Sequence, residues 1–278
     1  MTCHGIAGDG AGPAAAMLDP YPRDYRNGVF KYTSTRSGAK PIRKDLQRTL
    51  FRGVAGTAMP SFAHLPPEQS EALLEYVKYL SIRGETELHL LQLVVDEQSY
   101  LPPDMPTVME DGVLPAAASW LMPEERAPEL VVVPPPRPPV DRPEVLAASV
   151  AKGRELYLAR DSQCVKCHGE SGDGNGEEKE LYDDWNKRKK GVTPEQTADL
   201  ARLFKLPLQR LRPRDFRQGV FHGGAGPADL FLRICVGIKG TPMPAAGPAP
   251  GSQGALKPDE IWNVVDFVRS LAAEGGGQ

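Results

Sequence analysis

The feature that most constrains the fold is an internal duplication. Four short motifs occur twice in the same order, with an insertion after the first motif of the second copy. A repeated order of this kind predicts two homologous domains rather than one large core. The four pairs are Cys3-His4 and Cys167-His168, residues 22–30 (PRDYRNGVF) and 213–221 (PRDFRQGVF), residues 56–60 (GTAMP) and 240–244 (GTPMP), and residues 75–80 (EYVKYL) and 266–271 (DFVRSL).

The first motif of the second copy is complete and reads Cys164-Val165-Lys166-Cys167-His168. Two thiols three positions apart lie on one side of a helical turn, from which they can form thioether bonds to the two vinyl groups of one haem. The next histidine then projects at the iron as the proximal ligand. C-x-x-C-H is the pattern of c-type haem attachment. It predicts a haem held by Cys164 and Cys167, with His168 on the iron.

The first copy holds the same motif without its first cysteine, since the sequence opens Met1-Thr2-Cys3-His4-Gly5. Cys3 could hold a haem through a single thioether bond, with His4 as the axial ligand. We interpret this copy as truncated, lacking its first helix and first haem cysteine. The natural protein is then expected to carry an upstream segment, such as a signal peptide or a membrane anchor. We expect two haem c groups, the first of them singly attached or absent.

Two other uses of a C-x-x-C pair fit the sequence poorly. A structural zinc site needs four ligands, usually from two such pairs, and the sequence holds one complete pair. A thioredoxin-like dithiol would require a βαβ setting, which the pattern lacks. Cys235 lies outside the motifs and is interpreted as a small buried apolar residue.

A proline-rich segment separates the two copies. Twelve of the 28 prolines lie in residues 101–143, and the run from Val131 to Pro139 predicts an extended polyproline strut. We expect two apolar segments, Leu88 to Val95 and Trp120 to Met122, to dock this linker onto the domains. The predicted boundaries are 1–83 for the first domain, 84–143 for an acidic linker, 144–273 for the second domain and 274–278 for a tail.

Charge is distributed unevenly along the chain. Residues 1–83 hold 11 Lys/Arg and 7 Asp/Glu, whereas residues 84–143 hold 3 and 11. A basic domain beside an acidic connector could steer acidic redox partners, or the two segments could contact each other. An ordinary solvated surface would explain these charge counts equally well. It would also explain the basic run from Lys187 to Lys190 in the insertion. No run approaches the roughly 20 apolar residues of a membrane span.

With these residues identified, both halves resemble class I cytochrome c domains, over residues 1–82 and 144–273. The resemblance is carried by the Cys-His motifs, the glycine-rich loops after them, the Met-Pro loops and the terminal helices. It implies a mostly α fold of two tandem cytochrome c-like helical domains, joined by a long Pro-rich irregular linker. Because haem is attached to such motifs outside the cytoplasmic membrane in the similar bacterial families, it also implies a periplasmic or extracytoplasmic location.

The resemblance names a second axial ligand for each haem. In the family this is a methionine from a late loop, which corresponds to Met59 and Met243. Each methionine lies in a Gly-Thr-x-Met-Pro motif before the last helix of its copy. Thioether sulfur ligates iron, and Met/His ligation raises the haem potential. The prolines beside them stiffen the loops. The alternative is that both methionines only fill the core.

The duplicated arginine-containing string supplies candidates for the haem pocket. Its aromatic residues are expected to line the pocket, and its arginines could donate to a haem propionate. Salt bridges with the neighbouring Asp24 and Asp215 are an equally good role for the arginines. The candidates are Tyr25, Arg26, Phe30, Phe216, Arg217 and Phe221.

These residues predict electron transfer and no catalytic residues. With both axial positions filled, iron can gain and lose an electron but cannot readily bind a substrate. We therefore expect a dihaem c-type cytochrome that carries single electrons between a redox protein donor and acceptor, in a bacterial respiratory chain or as a subunit of a respiratory complex. No nucleic-acid partner and no membrane span are expected. The competing hypothesis is a haem enzyme, peroxidase-like or a sulfur-compound dehydrogenase, in which one haem is the catalytic centre.

Overall fold

The computed structural model describes residues 1–96, 104–183, 193, 195, 206–207 and 209–275. Regular structure in these residues is helical, and β pairing there is limited to the bridges Thr35–Val131 and Ala249–Ser252. The predicted mostly α fold is confirmed. The chain divides into two compact units. The first contains residues 1–53 and 61–131 with the described part of 185–209, and the second contains 54–60, 132–184 and 210–278.

The first unit has a glycine-rich, largely irregular N-terminal part that includes a 3-10 turn at Ala15–Met17. Two helices follow, α1 at Arg43–Arg52 and α2 at Pro67–Asp96. Proline and Glu68 in the first turn of α2 are typical of a helix start. The core of this unit joins Leu46 of α1 and Leu74 of α2 to Trp120.

The linker differs from its prediction over residues 105–130, which are helical rather than irregular. They form α3 (Met105–Thr107), a π-helix (Val108–Val113), α4 (Leu114–Glu125) and α5 (Ala127–Leu130). Proline stands in the first turn of α3 and α5, where its missing N–H has no helical partner to lose. Helix α4 continues directly from the π-helix and contains Pro115 and Pro123. Helix α2 also continues to Asp96, beyond the predicted boundary at residue 83. The proline run that follows α5 has no helix, as predicted.

The second unit is built around a pair of long helices, α6 (Pro143–Leu158) and α9 (Pro258–Gly275). Between them lie α7 (Cys164–His168), 3-10 turns at Arg160–Ser162 and Phe216–Gln218, and α8 (Pro227–Val236). Helix α6 packs along α9. The core includes Tyr157, Phe231, Ile261, Val264, Val265 and Cys235, so the predicted burial of Cys235 is confirmed.

The run Lys187 to Lys190 and the surface helices expected around it lie outside the described residues. Among the residues that the structure does describe, none of the helices is long and apolar enough to cross a membrane.

Candidate functional site

The complete motif of the second copy forms the one-turn helix α7, which carries Cys164, Cys167 and His168. All three side chains are partly buried, and both cysteines are free thiols. The Nδ1 atom of His168 lies 3.4 Å from the carbonyl oxygen of Arg214. Because a carbonyl can only accept, Nδ1 carries the proton in this contact, and Nε2 keeps the lone pair that a metal requires.

Aromatic rings fix the plane of the His168 imidazole. His168 stacks on Phe216 with ring centroids 4.5 Å apart, and Phe216 stacks in turn on Phe221 at 5.9 Å. Tyr157 of α6 meets Phe216 edge-on. The Tyr157 hydroxyl donates to the carbonyl of Gly169, directly after the motif, at 2.6 Å. Helix α6 is thereby tied to the loop that carries the histidine.

The first copy builds the same arrangement around His4. Its Nδ1 lies 3.0 Å from the carbonyl oxygen of Arg23, and its ring stacks on Tyr25 at 4.7 Å. Tyr25 stacks on Phe30 at 5.9 Å. The series continues to Trp120 of α4, whose ring meets Phe30 edge-on at 5.7 Å. Sequence reasoning identified Trp120 only as an apolar anchor, because nothing in the repeat pairs it with Phe30.

The glycine-rich loops after the two histidines share their backbone hydrogen bonds. Gly10 donates to the carbonyl of His4 at 3.0 Å, and Gly174 donates to that of His168 at 2.9 Å. Both glycines have φ of 75°, which disfavours side chains. At Gly10 an added Cβ would also lie 2.6 Å from the carbonyl oxygen of Pro22. The recurrence of glycine therefore reflects a backbone shape that holds each histidine.

The second methionine loop is closed by a threonine. The N–H of Ile238 donates to the carbonyl of Met243 at 3.1 Å. The Thr241 hydroxyl donates to the carbonyl of Ile238 at 2.7 Å and accepts the Met243 N–H at 3.2 Å. Three hydrogen bonds thus fix the backbone on both sides of this methionine.

The first methionine loop repeats this pattern. Val54 donates to the carbonyl of Met59 at 3.0 Å, and the Thr57 hydroxyl makes the two corresponding bonds at 2.8 and 3.2 Å. The Gly-Thr-x-Met-Pro string therefore specifies one loop conformation in both copies. Residues 54–60 belong to the second unit, whereas His4 belongs to the first.

The two candidate arginines form salt bridges with their neighbouring aspartates. Arg26 bonds Asp24 through Nε to Oδ1 at 3.0 Å and Nη2 to Oδ2 at 2.8 Å. Arg217 makes the equivalent pair with Asp215, both bonds at 2.9 Å. From the sequence, each arginine could bind either a haem propionate or the neighbouring aspartate. The structure shows the salt bridge with the aspartate.

The electrostatics of the two sites suit metal ligation by imidazole. Burial lowers the pKa of His4 and of His168, because desolvation penalises the imidazolium form. Burial also raises the pKa of the Cys164 thiol. Thiols able to form thioether bonds beside a neutral imidazole with a free Nε2 are the donor set of c-type haem. The residues present therefore fit that cofactor.

Comparison with known proteins agrees with this chemistry. The family model described as Cytochrome c matches residues 1–81. No curated protein matches the sequence. Among solved structures, the chain is similar to one from the reducing HAO-like protein complex of Kuenenia stuttgartiensis. The TM-score is 0.64 at 25% sequence identity, over 97% of this chain and 90% of the other.

The residues of the two cysteine–histidine sites fit c-type haem. Residues 1–81 match the Cytochrome c family model. The resemblance predicted from the sequence is confirmed there by the family match, and the mostly helical architecture has a counterpart in a solved structure over most of both chains.

Proposed function

We propose that this protein is a dihaem c-type cytochrome that passes single electrons between redox protein partners. The observation that carries the proposal is the imidazole arrangement, which the chain builds twice. In each copy Nδ1 contacts a backbone carbonyl and the ring stacks on an aromatic side chain. A duplicated arrangement of this kind suits two cofactors of the same type.

The cysteines and histidines have separate roles in this proposal. Cys164 and Cys167 hold the second haem covalently, and Cys3 holds the first. His168 and His4 bind iron through Nε2, and their carbonyl contacts fix ring orientation and increase ligand basicity. When bound, haem c supplies the one-electron couple of its iron. Phe216 and Tyr25 hold the imidazole planes, so little rearrangement accompanies a change of charge.

Met59 and Met243 are proposed as the second axial ligands. For Met243, the Thr241 hydrogen bonds reduce the chain entropy lost when a weak iron–sulfur bond is held. For Met59 the proposal rests on the repeated loop. A methionine in the sixth position keeps water and small ligands away from the metal, which favours electron transfer over substrate turnover.

The similar solved structure supports a role within an assembly. That chain comes from a complex, described as a reducing HAO-like protein complex. We propose that the present chain likewise passes electrons to or from protein subunits of a larger redox complex, in a bacterial respiratory chain. Because c-type haem attachment takes place outside the cytoplasmic membrane in the similar families, the proposed location is periplasmic or extracytoplasmic.

The first test is to count covalent haem per chain. Protein from a host with a c-type maturation system would be assayed by pyridine haemochrome. We expect two haems in the parent, one in Cys3→Ala and one in the Cys164→Ala/Cys167→Ala double variant. Cys235→Ala is the matched control, since this buried cysteine lies outside both motifs, and it should keep two.

Each other outcome has a definite meaning. A parent without covalent haem would exclude the cytochrome hypothesis. One haem that is lost only in the Cys164/Cys167 double variant would confine the function to the second site. Ready binding of imidazole or carbon monoxide to one haem would instead favour the haem-enzyme alternative, because that haem would have an exchangeable ligand.

A further inference from the structure

Helix α4 presents an exposed apolar face. Leu114, Ala118 and Leu121 follow one another at intervals of four and three residues, so they lie on one side of the helix. Leu114 is 54% exposed and Leu121 is 61% exposed, and Ala118 is exposed as well. Residues on the other side, among them Ala116 and Trp120, are buried. The helix is therefore apolar on its exposed side as well as on its buried side, which is unusual for a surface helix.

Acidic side chains stand at both ends of this face. Glu110 and Asp111 precede Leu114, and Glu125 stands one turn beyond Leu121 on the same side of the helix. All three acidic residues are exposed, and within the described part of the chain none of them forms an ion pair. An apolar centre with an acidic rim is complementary to a partner surface that has an apolar centre and a basic rim.

The buried side of the same helix connects to the first candidate haem site through aromatic contacts. Trp120 meets Phe30 with ring centroids 5.7 Å apart. Phe30 stacks on Tyr25 at 5.9 Å, and Tyr25 stacks on His4 at 4.7 Å. In the second copy, no ring of the described residues extends the corresponding series beyond Phe221. The step from Phe30 to α4 is therefore particular to the first copy.

Lys40 holds the Trp120 ring in place. Its Nζ lies 5.9 Å from the centroid of that ring, a distance at which a cation is attracted to an aromatic face. The same Nζ donates to the carbonyl of Gly28 at 3.1 Å and pairs with Glu85 of α2 at 2.7 Å. Because the ring is fixed and packed, it offers a continuous path between the surface of α4 and His4. Electron tunnelling falls steeply wherever such a path is interrupted by a gap.

We propose that the face formed by Leu114, Ala118 and Leu121, here called the α4 face, docks a redox protein with an apolar centre and a basic rim, and that Trp120 lies on the electron route from this partner to the first haem. The inference rests on the proposed function, since it requires a haem at His4. The partner's reduced centre gives up one electron, which tunnels through the aromatic series and converts the first iron from ferric to ferrous. A second copy of this chain is disfavoured as the occupant, because two acidic rims would meet.

The route is tested with a photoreductant attached to the α4 face. Leu121→Cys is labelled with a ruthenium tris-bipyridine complex in the haem-loaded full chain, where Cys235 is buried and the motif thiols are expected in thioether bonds. After a flash, the excited complex loses one electron and a haem iron gains it. We expect a fast reduction phase that is absent in Cys3→Ala, which assigns it to the first haem, and that Trp120→Leu slows severalfold. Trp120→Phe is the matched control, since it keeps a ring and should keep most of the rate.

Docking is tested by stopped-flow electron exchange with a lysine-rich cytochrome c of the mitochondrial type as the cationic probe. We expect the second-order rate constant to fall as salt is added, and to fall about tenfold in Leu121→Asp. Glu125→Gln should weaken the salt dependence. Two controls should behave as the parent does. Leu146→Asp changes an exposed leucine of α6, and Asp141→Asn removes an exposed charge from the proline-rich segment.

Each part of the proposal has its own contrary result. Equal flash-reduction rates in Trp120→Leu and the parent would overturn the route, and an unchanged rate constant in Leu121→Asp would exclude the docking surface. A dimer in light scattering that Leu121→Asp converts to a monomer would also exclude it, since a second copy would then cover the face. Haem counts by pyridine haemochrome on every variant separate these results from a failure of the proposed function, which would appear as a parent chain without haem at the first site.

Discussion

At the residue scale, the two copies agree in contacts more closely than in sequence. Tyr25 and Phe216 differ, yet each stacks on its histidine. The shared requirement is a flat ring at that position, since both side chains offer the same aromatic face. Asp24 and Asp215 are the same residue in the same role, since each carboxylate accepts the backbone N–H of the arginine two positions on.

Asp215 should contribute stability that depends on pH. The Arg217 guanidinium beside it lowers the pKa of this carboxyl below its ordinary value. A carboxyl with a lowered folded-state pKa stabilises the fold above its unfolded pKa and loses that effect as the pH falls through the folded value. We expect Asp215→Asn to lower the free energy of unfolding by about 0.5 kcal/mol or less at pH 7, because the ion pair is at the surface. The loss should become progressively smaller below about pH 4.

Guanidinium unfolding followed by haem absorbance at pH 7 and pH 3 checks this difference. Asp141→Asn removes the same charge from an exposed position in the proline-rich segment, and it should change little at either pH. If Asp215→Asn lowers the free energy of unfolding as much at pH 3 as at pH 7, the ion pair is not the cause of the loss.

At the element scale, the methionine loops illustrate how a short string fixes a conformation. The threonine of each Gly-Thr-x-Met-Pro closes its loop with the same two side-chain hydrogen bonds. The glycine of each string has φ near 70°, at 72° for Gly56 and 70° for Gly240, in the left-handed region where glycine carries no penalty. Backbone geometry therefore explains both the threonine and the glycine of this string.

Replacing the loop threonine should loosen methionine ligation. Thr241→Val keeps the shape of the side chain but removes the hydroxyl, which donates to Ile238 and accepts from Met243. Losing these hydrogen bonds should destabilise the loop by about 1 kcal/mol. We expect imidazole to bind the second haem about fivefold more tightly in this variant, because the competing methionine is held less firmly. Thr241→Ser retains the hydroxyl and should bind imidazole as the parent does. Unchanged imidazole affinity in Thr241→Val would mean that the loop is held by other contacts.

The crossing of α6 and α9 should tolerate no side chain larger than glycine. Alanine at position 153 would gain about 1 kcal/mol of helix propensity, but its Cβ would lie 2.0 Å from the Asn263 carbonyl oxygen. We expect Gly153→Ala to be destabilised overall by about 1–3 kcal/mol, measured by thermal unfolding of the haem protein. Ala151→Leu on the exposed side of α6 should change stability little. A stabilised Gly153→Ala variant would contradict the close approach.

At the scale of the whole molecule, the duplication gives the protein two sites of one design. Their surroundings nevertheless differ. The first unit adds Trp120 to its aromatic series. The second unit holds the complete cysteine pair and the α6–α9 helix pair. The two proposed haems would lie in unequal surroundings and are therefore expected to have unequal reduction potentials.

Redox titration should therefore resolve two one-electron steps. We expect Met243→Ala to lower the potential of one step and Met59→Ala that of the other, each by a substantial part of the roughly 0.8 V over which axial ligands set haem potentials. Spectropotentiometry of the parent, both single variants and the double variant measures this. Met105→Ala, an exposed methionine of α3, should leave both steps in place. If either single variant shifts both steps or neither, the methionine assignment is wrong.

Much of this architecture was readable in the sequence, because the strongest signals are local. C-x-x-C-H and Gly-Thr-x-Met-Pro each lie within a few residues, so thiol spacing, histidine position and loop closure follow from short-range geometry. The order of the motifs predicted two homologous domains, and the resemblance that the motifs carry implied a helical fold with haem as the cofactor. The irregular linker was the main error, because prolines such as Pro106 and Pro128 can stand in the first turn of a helix as readily as in a strut.

The structure decided contacts that the sequence left open and contacts between residues far apart in the chain. The sequence allowed Arg26 and Arg217 either a haem propionate or the neighbouring aspartate, and the structure shows the aspartate. The contact of Trp120 with Phe30 joins residues that no spacing pattern pairs. The same holds for the exposure of Leu73 and Tyr76 on α2, since a pattern of apolar residues shows only which side of a helix should be covered. Whether a neighbour covers that side depends on packing, and packing is a property of the folded chain.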